Sequence, residues 1–218
     1  TQAVVDARSV VAVDDDVPAD VAAVLGCAVL TGGGALLNAT PPEPGQSVMV
    51  VGLGGVGMAA LLTALALGGG DVVAVDGVAA KRDRARELGA TTALAPDELA
   101  ASGVRCDVVV EAAGNARAFE AALAATAPGG RTVTVGLPPP DGMASVSPLL
   151  LVAEARTVVG SYLGSAVPAR DIPVFAQWWR EGRLPVEALV SSRIGLDDVN
   201  LAMDELAAGK ALRQIIEM

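Results

Sequence analysis

The sequence predicts an α/β protein built on a doubly wound parallel sheet. Short apolar runs alternate with helical segments through the middle of the 218-residue chain. The first of these runs ends in a glycine-rich turn, and the second ends in an acidic residue. An alternation of strand and helix requires right-handed crossovers, which bring the carboxyl ends of the strands to one edge of the sheet.

The N-terminal part precedes this alternation. Extended segments are predicted at 3–5 and 10–13, before an acidic turn at 14–16. A helix is predicted over 19–27, with an aspartate in its first turn, where the helix dipole favours negative charge. The glycines at 32–34 predict a bend, after which a helix resumes at Ala35 and the Pro-Gly-rich segment 41–45 ends it.

The alternating part follows that breaker. Short runs rich in valine predict buried strands, and longer segments ended by glycine predict helices. The predicted strands are 48–51, 71–76, 92–94, 108–110, 132–135 and 157–161. The predicted helices are 55–67, 81–88, 117–125, 148–155, 171–180 and 198–208.

Composition limits the class of protein and its partners. With 52% hydrophobic but only 2% aromatic residues, the core must be built from Ala, Val and Leu. A net charge of -10 argues against a nucleic-acid partner. Two distant cysteines give no disulfide framework, and no membrane-length apolar run lacks a glycine or a charge, so a cytoplasmic protein without membrane contact is expected. Because the chain begins with Thr1 and has no histidine, we expect an upstream part.

The turn after the first apolar run has the spacing of a dinucleotide-binding loop. Gly52, Gly54 and Gly57 form G-x-G-x-x-G between a predicted strand and a predicted helix, the context that this motif needs. The first glycine permits a tight turn, the second leaves room for a pyrophosphate, and the third lets the helix approach the strand. Backbone N–H groups at Gly55 and Val56 would bind the phosphates. The alternative is a turn that serves packing only.

Asp76, at the end of the second predicted strand, bears on the choice of coenzyme. A carboxylate there accepts hydrogen bonds from adenosine ribose and repels a 2′-phosphate, so NAD is predicted over NADP. Lys81, Arg82 and Arg84 lie near enough in sequence to soften that repulsion. Alternatives are a solvated strand end or a helix cap. An S-adenosylmethionine methyltransferase also ends this strand in an acid, but the third glycine and the helix beginning at Gly55 favour a dinucleotide.

Motifs along the whole chain resemble those of the medium-chain, zinc-type alcohol dehydrogenases. Residues 25–35 read L-G-C-A-V-L-T-G-G-G-A, and Asp76 is followed by Lys81 and by L-G-A at 88–90. Each motif is weak alone, but their order and spacing make the resemblance specific. The other matching segments are E-A-A-G-N at 111–115, G-G-R at 129–131, V-G-L at 135–137, 160–164, and G-K-A-L-R at 209–213.

The resemblance implies an architecture and an activity. An NAD(P)-binding Rossmann domain would cover 29–162, and 1–28 and 163–218 would be remnants of a GroES-like catalytic domain. The implied reaction transfers a hydride between a primary or secondary alcohol and NAD, with an aldehyde or ketone as the partner species. The segment 145–151 is similar to one that pairs coenzyme domains, which implies a homo-oligomer, a dimer or a tetramer.

Residue roles near the reacting groups follow from the same resemblance. Cys27 matches one of three protein ligands of a catalytic zinc, and Thr31 matches a residue near the nicotinamide. The alternative for Thr31 is a turn or cap hydroxyl. Positions that line the nicotinamide, or hydrogen-bond it through backbone, are matched by Val135, Leu137 and Leu163.

Two basic residues match contacts of the coenzyme. Lys81 corresponds to a second adenosine-ribose contact and Arg213 to a pyrophosphate partner. For both, the alternative is a solvated surface side chain. The pair Trp178 and Trp179 is interpreted as packing for the last helices rather than as a substrate box.

The chain departs from this family at the metal. A catalytic zinc needs three protein ligands, and the family's other ligands, its relay histidine and its structural zinc lobe lie upstream of the matching segments. The chain alone offers Cys27 and Cys106, so both are interpreted as buried, inert thiols when it stands by itself. Two further functions stay open. One is a zinc-independent enone or quinone reductase of the same superfamily, against which the L-G-C context argues. The other is a non-catalytic NAD-binding fragment, which we expect of this chain alone.

Overall fold

Six strands form one parallel sheet in the computed structural model, which describes residues 4–218. Along the sheet the order is β3-β2-β1-β4-β5-β6, which reverses between β1 and β4. This order is the doubly wound arrangement of a Rossmann fold, so the predicted fold class is confirmed. The strands are β1 (Val48–Val51), β2 (Val72–Val75), β3 (Thr92–Leu94), β4 (Cys106–Glu111), β5 (Thr126–Thr134) and β6 (Thr157–Gly160).

Helices cover both faces of this sheet, which explains why its central strands are apolar on both sides. All four residues of β1 and of β2 are buried. The predicted helices after residue 41 are present with bounds shifted by at most three residues, and the two predicted before it form one continuous helix. They are Ala19–Ala39, Gly55–Leu67, Ala79–Glu87, Ala116–Ala124, Pro148–Ala153, Pro168–Arg180 and Val199–Ala207.

Two sets of elements were not predicted. The helix Pro96–Ser102 is short, and its signals are a proline at the first position and Glu98, whose carboxylate accepts from the Ala95 N–H at 2.6 Å. Strands β7 (Val190–Ile194) and β8 (Arg213–Ile216) form a separate parallel pair. Polar residues in both strands interrupt the apolar pattern by which strands were predicted. Of the extended segment predicted at 3–5, Ala3 lies outside the described residues.

The N-terminal helix, Ala19–Ala39, corrects the predicted bend. It runs without interruption, with wider π-type hydrogen bonding over Leu25–Val29 and Ala35–Ala39. Its glycines serve close packing instead of a turn. A Cβ built on Gly32 would lie 2.2 Å from the carbonyl oxygen of Val56, so only glycine allows this approach. The prediction was wrong because three glycines indicate a turn and a tight helix contact equally well.

By length and composition the N-terminal helix could cross a membrane. Such a helix is weak evidence when it forms part of a core, and 61% of its most apolar stretch is buried against the rest of the protein. Its apolar composition is therefore accounted for by packing against the glycine-loop helix, Gly55–Leu67.

The core has one cluster on each face of the sheet. The larger cluster includes Phe175, which is fully buried and meets Trp178 edge to face at 6.1 Å. Trp179 packs against the same cluster, so the packing interpretation of the tryptophan pair is confirmed. Cys106 lies in the smaller cluster, as predicted, and burial raises the pKa of its thiol to about 11.

A buried carboxylate joins the N-terminal helix to the helix Pro168–Arg180. Asp171 accepts from the Val167 N–H at 2.9 Å and from the Asn38 amide at 3.0 Å, and it pairs with Arg170. The hydrogen bond from Arg170, followed by those from Val167 and Asn38, holds the pKa of the Asp171 carboxyl below its usual value. The charged form is therefore the one that stabilises the fold.

Replacing Asp171 with asparagine is expected to lower the free energy of unfolding at neutral pH by about 1–3 kcal/mol, because buried donors lose a charged acceptor. A folded pKa below the unfolded value of about 3.9 means that this stabilisation is complete above that value and is lost as the pH falls through the folded pKa. Urea unfolding across this range should show the difference from wild type closing in acid. Asp6→Asn, which removes an exposed pair with Arg8, serves as the control and should have no measurable effect. A difference independent of pH would contradict the assignment.

Candidate functional site

A crevice opens at the carboxyl edge of the sheet where the strand order reverses. Ligands of doubly wound sheets bind at such a switch point. A cavity of about 410 Å³ lies there, a size suited to a small-molecule ligand. Its walls come from the ends of β1 and β2, the loop after β4 and two helices. The lining residues that matter below are Gly52, Asp76, Gly77, Ala113, Asn115 and Arg117.

The glycine loop, residues 52–57, turns sharply between β1 and the glycine-loop helix. Gly52 has φ +92°, a left-handed conformation that favours glycine, and a Cβ there would lie 2.6 Å from the Ala113 nitrogen. A Cβ on Gly57 would lie 1.7 Å from the Gly52 carbonyl oxygen. The tight turn and the close helix approach are therefore present, while the part of these glycines in coenzyme binding stays a prediction.

The middle of the loop faces open space. Nothing lies within 4 Å of a Cβ built on Gly54, and its own φ of -72° is open to any residue. The glycine-loop helix begins at the next residue, so the N–H groups of Gly55 and Val56 lie in its first turn, where intrahelical partners are lacking. This end of the helix is therefore an electropositive group of backbone donors.

Arg213 lies over this helix end. A Cβ built on Gly55 would meet the guanidinium carbon at 2.5 Å. Among residues 4–218 the Arg213 side chain forms no ion pair, and its hydrogen bond goes to the adjacent Leu212 carbonyl at 3.1 Å. A cation beside the positive end of a helix is repelled unless an anion lies between them. This arrangement therefore suits a phosphate group.

Asp76 links two backbone segments at the edge of the crevice. Its carboxylate accepts from the Leu53 N–H at 2.7 Å and from the Val78 N–H at 2.8 Å, so it ties the glycine loop to the end of β2. Asp76 is not the cap that sequence left as an alternative, because the N-cap of the following helix is Val78 and that helix has no side-chain cap hydrogen bond. Each carboxylate oxygen can accept a further hydrogen bond, so contact with a ribose remains open.

Two basic residues of the following helix behave differently from each other. Arg82 donates to the carbonyls of Asp76 and Gly77 at 2.9 and 3.0 Å, an anchoring role that sequence did not suggest. Lys81 does not line the crevice next to Asp76. It borders another cavity of about 380 Å³, with its nitrogen 3.9 Å from a Cβ built on Gly209. Its predicted ribose contact stays untested.

Residues predicted to lie near the nicotinamide fall into two groups. Val135 and Leu137 follow β5, the first buried and the second 78% exposed. Leu163 belongs to the 3₁₀ turn Leu163–Ser165, which packs on the N-terminal helix. There a Cβ on Gly164 would lie 2.8 Å from the carbonyl oxygen of Thr31. Thr31 is buried inside the helix, so it is not a turn or cap residue.

Cys27 corrects the interpretation as a buried thiol, because its side chain is exposed on the N-terminal helix. The outward face of the π-type segment Leu25–Val29 carries it. Within residues 4–218 no three His, Cys, Asp or Glu side chains are grouped as metal ligands. A catalytic zinc needs three, so these residues do not by themselves fit a zinc ion.

Known proteins share this architecture and sequence. A family described as zinc-binding dehydrogenase matches residues 55–180. The chain is 35% identical to geraniol dehydrogenase of Castellaniella defragrans and 34% identical to the NDMA-dependent alcohol dehydrogenase of Amycolatopsis methanolica, in each case over 99% of its length. The crystal structure of benzyl alcohol dehydrogenase from Acinetobacter calcoaceticus matches 95% of it with a TM-score of 0.90 at 30% identity. The chain spans 60%, 61% and 59% of these three relatives.

Proposed function

The chain belongs to the zinc-binding dehydrogenase family, and from this we propose that it binds NAD and provides the coenzyme half of an alcohol dehydrogenase. The predicted family is confirmed; the coenzyme and the reaction are the proposal. One observation carries it. The Arg213 guanidinium, which has no ion-pair partner among residues 4–218, lies against Gly55 at the start of the glycine-loop helix, whose first N–H groups lack intrahelical partners. Nothing lies within 4 Å of a Cβ built on the preceding residue, Gly54.

The residues present fit a dinucleotide. The glycine loop would hold the pyrophosphate through backbone N–H groups, with Arg213 closing over it. Asp76 would receive the adenosine ribose, and Val135, Leu137 and Leu163 would contact the nicotinamide. Bound NAD would supply the hydride acceptor for an alcohol and, when reduced, the donor for an aldehyde or ketone.

Zinc does not enter the proposal for this chain alone. Cys27 could serve as one ligand only where two further ligands come from elsewhere. A second candidate function therefore stands beside the first: NAD binding without turnover. It predicts no alcohol-dependent formation of NADH by a chain that still binds the coenzyme. The names of the relatives favour a primary alcohol as substrate of the complete enzyme, because geraniol and benzyl alcohol are both primary.

We also propose a homo-oligomer formed along the edge of the sheet. β6 is the edge strand, and apolar side chains beside it are exposed, with Leu149 at 74% and Val152 at 81%. An unpaired edge next to apolar surface is a site where a second copy can add. Sedimentation of the purified chain tests this, and a monomer at all concentrations would contradict it. Two free cysteines support a reducing, cytoplasmic location.

The proposal is tested by titration of the 218-residue chain with NADH, NAD and S-adenosylmethionine in a calorimeter. We expect saturable binding of both forms of the coenzyme and none of S-adenosylmethionine. Failure to bind either NAD or NADH at millimolar concentration would overturn the proposal.

Replacing Asp76 with serine is expected to shift the preference from NAD toward NADP by about tenfold, because a negative charge no longer opposes the 2′-phosphate. The Leu53 and Val78 N–H groups also lose their acceptor, so we expect some loss of stability. Asp76→Asn keeps the shape and one of the two acceptors while it removes the charge. Dissociation constants of both coenzymes, measured for the two variants, check this. An unchanged ratio in both would exclude a role for the charge in coenzyme choice.

A further inference from the structure

Glu111 is a buried acid to which the proposed reaction gives no task. It is the last residue of β4, between Val51 of β1 and Thr134 of β5 in the sheet register. Only 1% of its surface is exposed, and in the part of the chain that the structure describes it forms no ion pair. Burying an unpaired carboxylate is costly unless hydrogen bonds compensate for lost water. The Glu111 carboxylate must therefore accept hydrogen bonds from neighbouring groups, and it fixes the position of those groups.

Five donors meet this one residue. The side chain accepts from the N–H groups of Ala113 and Gly114 at 2.8 and 2.7 Å, and from the Thr134 hydroxyl at 2.6 Å. Its main-chain carbonyl accepts from the N–H groups of Val135 and Gly136 at 2.9 and 3.2 Å. Two donors lie in the loop after β4 and three at the end of β5. Glu111 thus fixes both loops relative to each other.

These two loops pack directly against each other. A Cβ on Gly136 would lie 2.3 Å from the Gly114 nitrogen, and a Cβ on Gly52 of the glycine loop would lie 2.6 Å from the Ala113 nitrogen. A displacement at the end of β5 is therefore transmitted to the crevice. We propose that Glu111 is a positioning residue for the coenzyme. It holds the backbone at Val135, on the nicotinamide side, at a fixed position relative to the pyrophosphate site. This inference rests on the proposed NAD binding.

The two carboxylate oxygens of Glu111 serve different loops. One oxygen accepts from both N–H groups of the loop after β4, and the other accepts from the Thr134 hydroxyl at the end of β5. Beside the two main-chain hydrogen bonds to the Glu111 carbonyl, the Thr134 hydroxyl ties the end of β5 to the carboxylate of this residue. Loss of that hydroxyl should make the end of β5, which would contact the nicotinamide, more mobile. The loop after β4 should keep its hydrogen bonds to the Glu111 carboxylate. The effect should therefore appear only for ligands that carry a nicotinamide.

The experiment compares NADH with ADP-ribose, which lacks the nicotinamide, as ligands of the chain and its variants. Thr134→Val should raise the dissociation constant of NADH about tenfold and leave that of ADP-ribose within about twofold. Glu111→Ala, which removes all three side-chain hydrogen bonds, should weaken both ligands, and the valine variant keeps the test valid where that protein fails to fold. Thr132→Val is the matched control, because it removes a buried hydroxyl pair with Thr126 on the same strand, away from the crevice.

Each outcome decides the matter. A changed NADH to ADP-ribose ratio in Thr134→Val, with an unchanged ratio in Thr132→Val, supports the inference. An unchanged ratio in Thr134→Val, or an equal change in both valine variants, overturns it and leaves the proposed NAD binding intact. A wild-type chain that binds neither ligand overturns the proposed function and this inference together.

Discussion

Gly57→Ala is expected to abolish NADH binding and to destabilise the protein strongly. The added methyl carbon would lie 1.7 Å from the Gly52 carbonyl oxygen, which is less than half of a normal carbon–oxygen contact. The neighbouring atoms are backbone and cannot rotate away, so the glycine-loop helix must move off β1. Overpacking of a core contact costs about 1–3 kcal/mol, and a clash with main chain belongs at the upper end.

The measurements are urea unfolding and NADH titration of the same preparation. Gly54→Ala is the matched control, because the new carbon meets no protein atom within 4 Å and the backbone angles suit alanine. Its stability should equal that of wild type. Its NADH affinity should nevertheless fall about tenfold, since the methyl group would occupy the space left for the pyrophosphate. A Gly57→Ala protein with wild-type stability would show that the glycine-loop helix does not lie as close to the Gly52 carbonyl as the structure has it.

The contrast between these glycines shows what a motif can predict. The three positions of G-x-G-x-x-G, read in a strand-to-helix context, indicated a turn, an open place and a close approach, and the structure has all three. Such features depend on residues within one turn of each other, so local sequence contains them. The alternation of strands likewise fixed the sheet class, because buried parallel strands need apolar residues on both faces.

Features that depend on residues distant in the chain could not be predicted from the sequence. The glycines at 32–34 touch the glycine-loop helix and the aromatic ring of Phe175, neither of which is nearby in the chain, so a bend was predicted where the helix continues. Cys27 was expected to be buried because thiols usually are, yet its side chain is exposed. Residues 21–30 of this helix are all apolar or glycine, so the local sequence does not show which of them face solvent.

The same limit applies to the anchoring residues of the crevice. Glu111 belongs to a matched motif, but nothing in that motif tells that its carboxylate serves the end of β5, 23 positions away. Arg82 was interpreted only as a charge near a phosphate, although its guanidinium is engaged by two carbonyls. Hydrogen-bond partners become known only when the loops are placed in space.

Arg213→Ala is expected to raise the dissociation constant of NADH by roughly 30- to 100-fold, the loss typical of hydrogen bonds to a charged group. The fold should tolerate this change. In the absence of an anion the guanidinium faces the positive end of a helix, so its removal relieves repulsion and offsets the loss of the hydrogen bond to the adjacent Leu212 carbonyl. Stability without ligand should therefore stay the same or rise slightly, a combination that distinguishes a binding residue from a structural one.

Calorimetric titration at several salt concentrations provides the decisive measurement. A guanidinium that binds a phosphate contributes to the salt dependence of affinity, so this dependence should weaken in Arg213→Ala. Arg213→Lys should recover only part of the affinity, because an ammonium keeps the charge but loses the planar pair of donors. Lys210→Ala, an exposed cation on the same segment, is the matched control and should bind NADH as wild type does. Equal NADH affinity of the wild-type and Arg213→Ala proteins would show that no phosphate binds between Arg213 and this helix end. The observation on which the coenzyme assignment depends would then no longer support it.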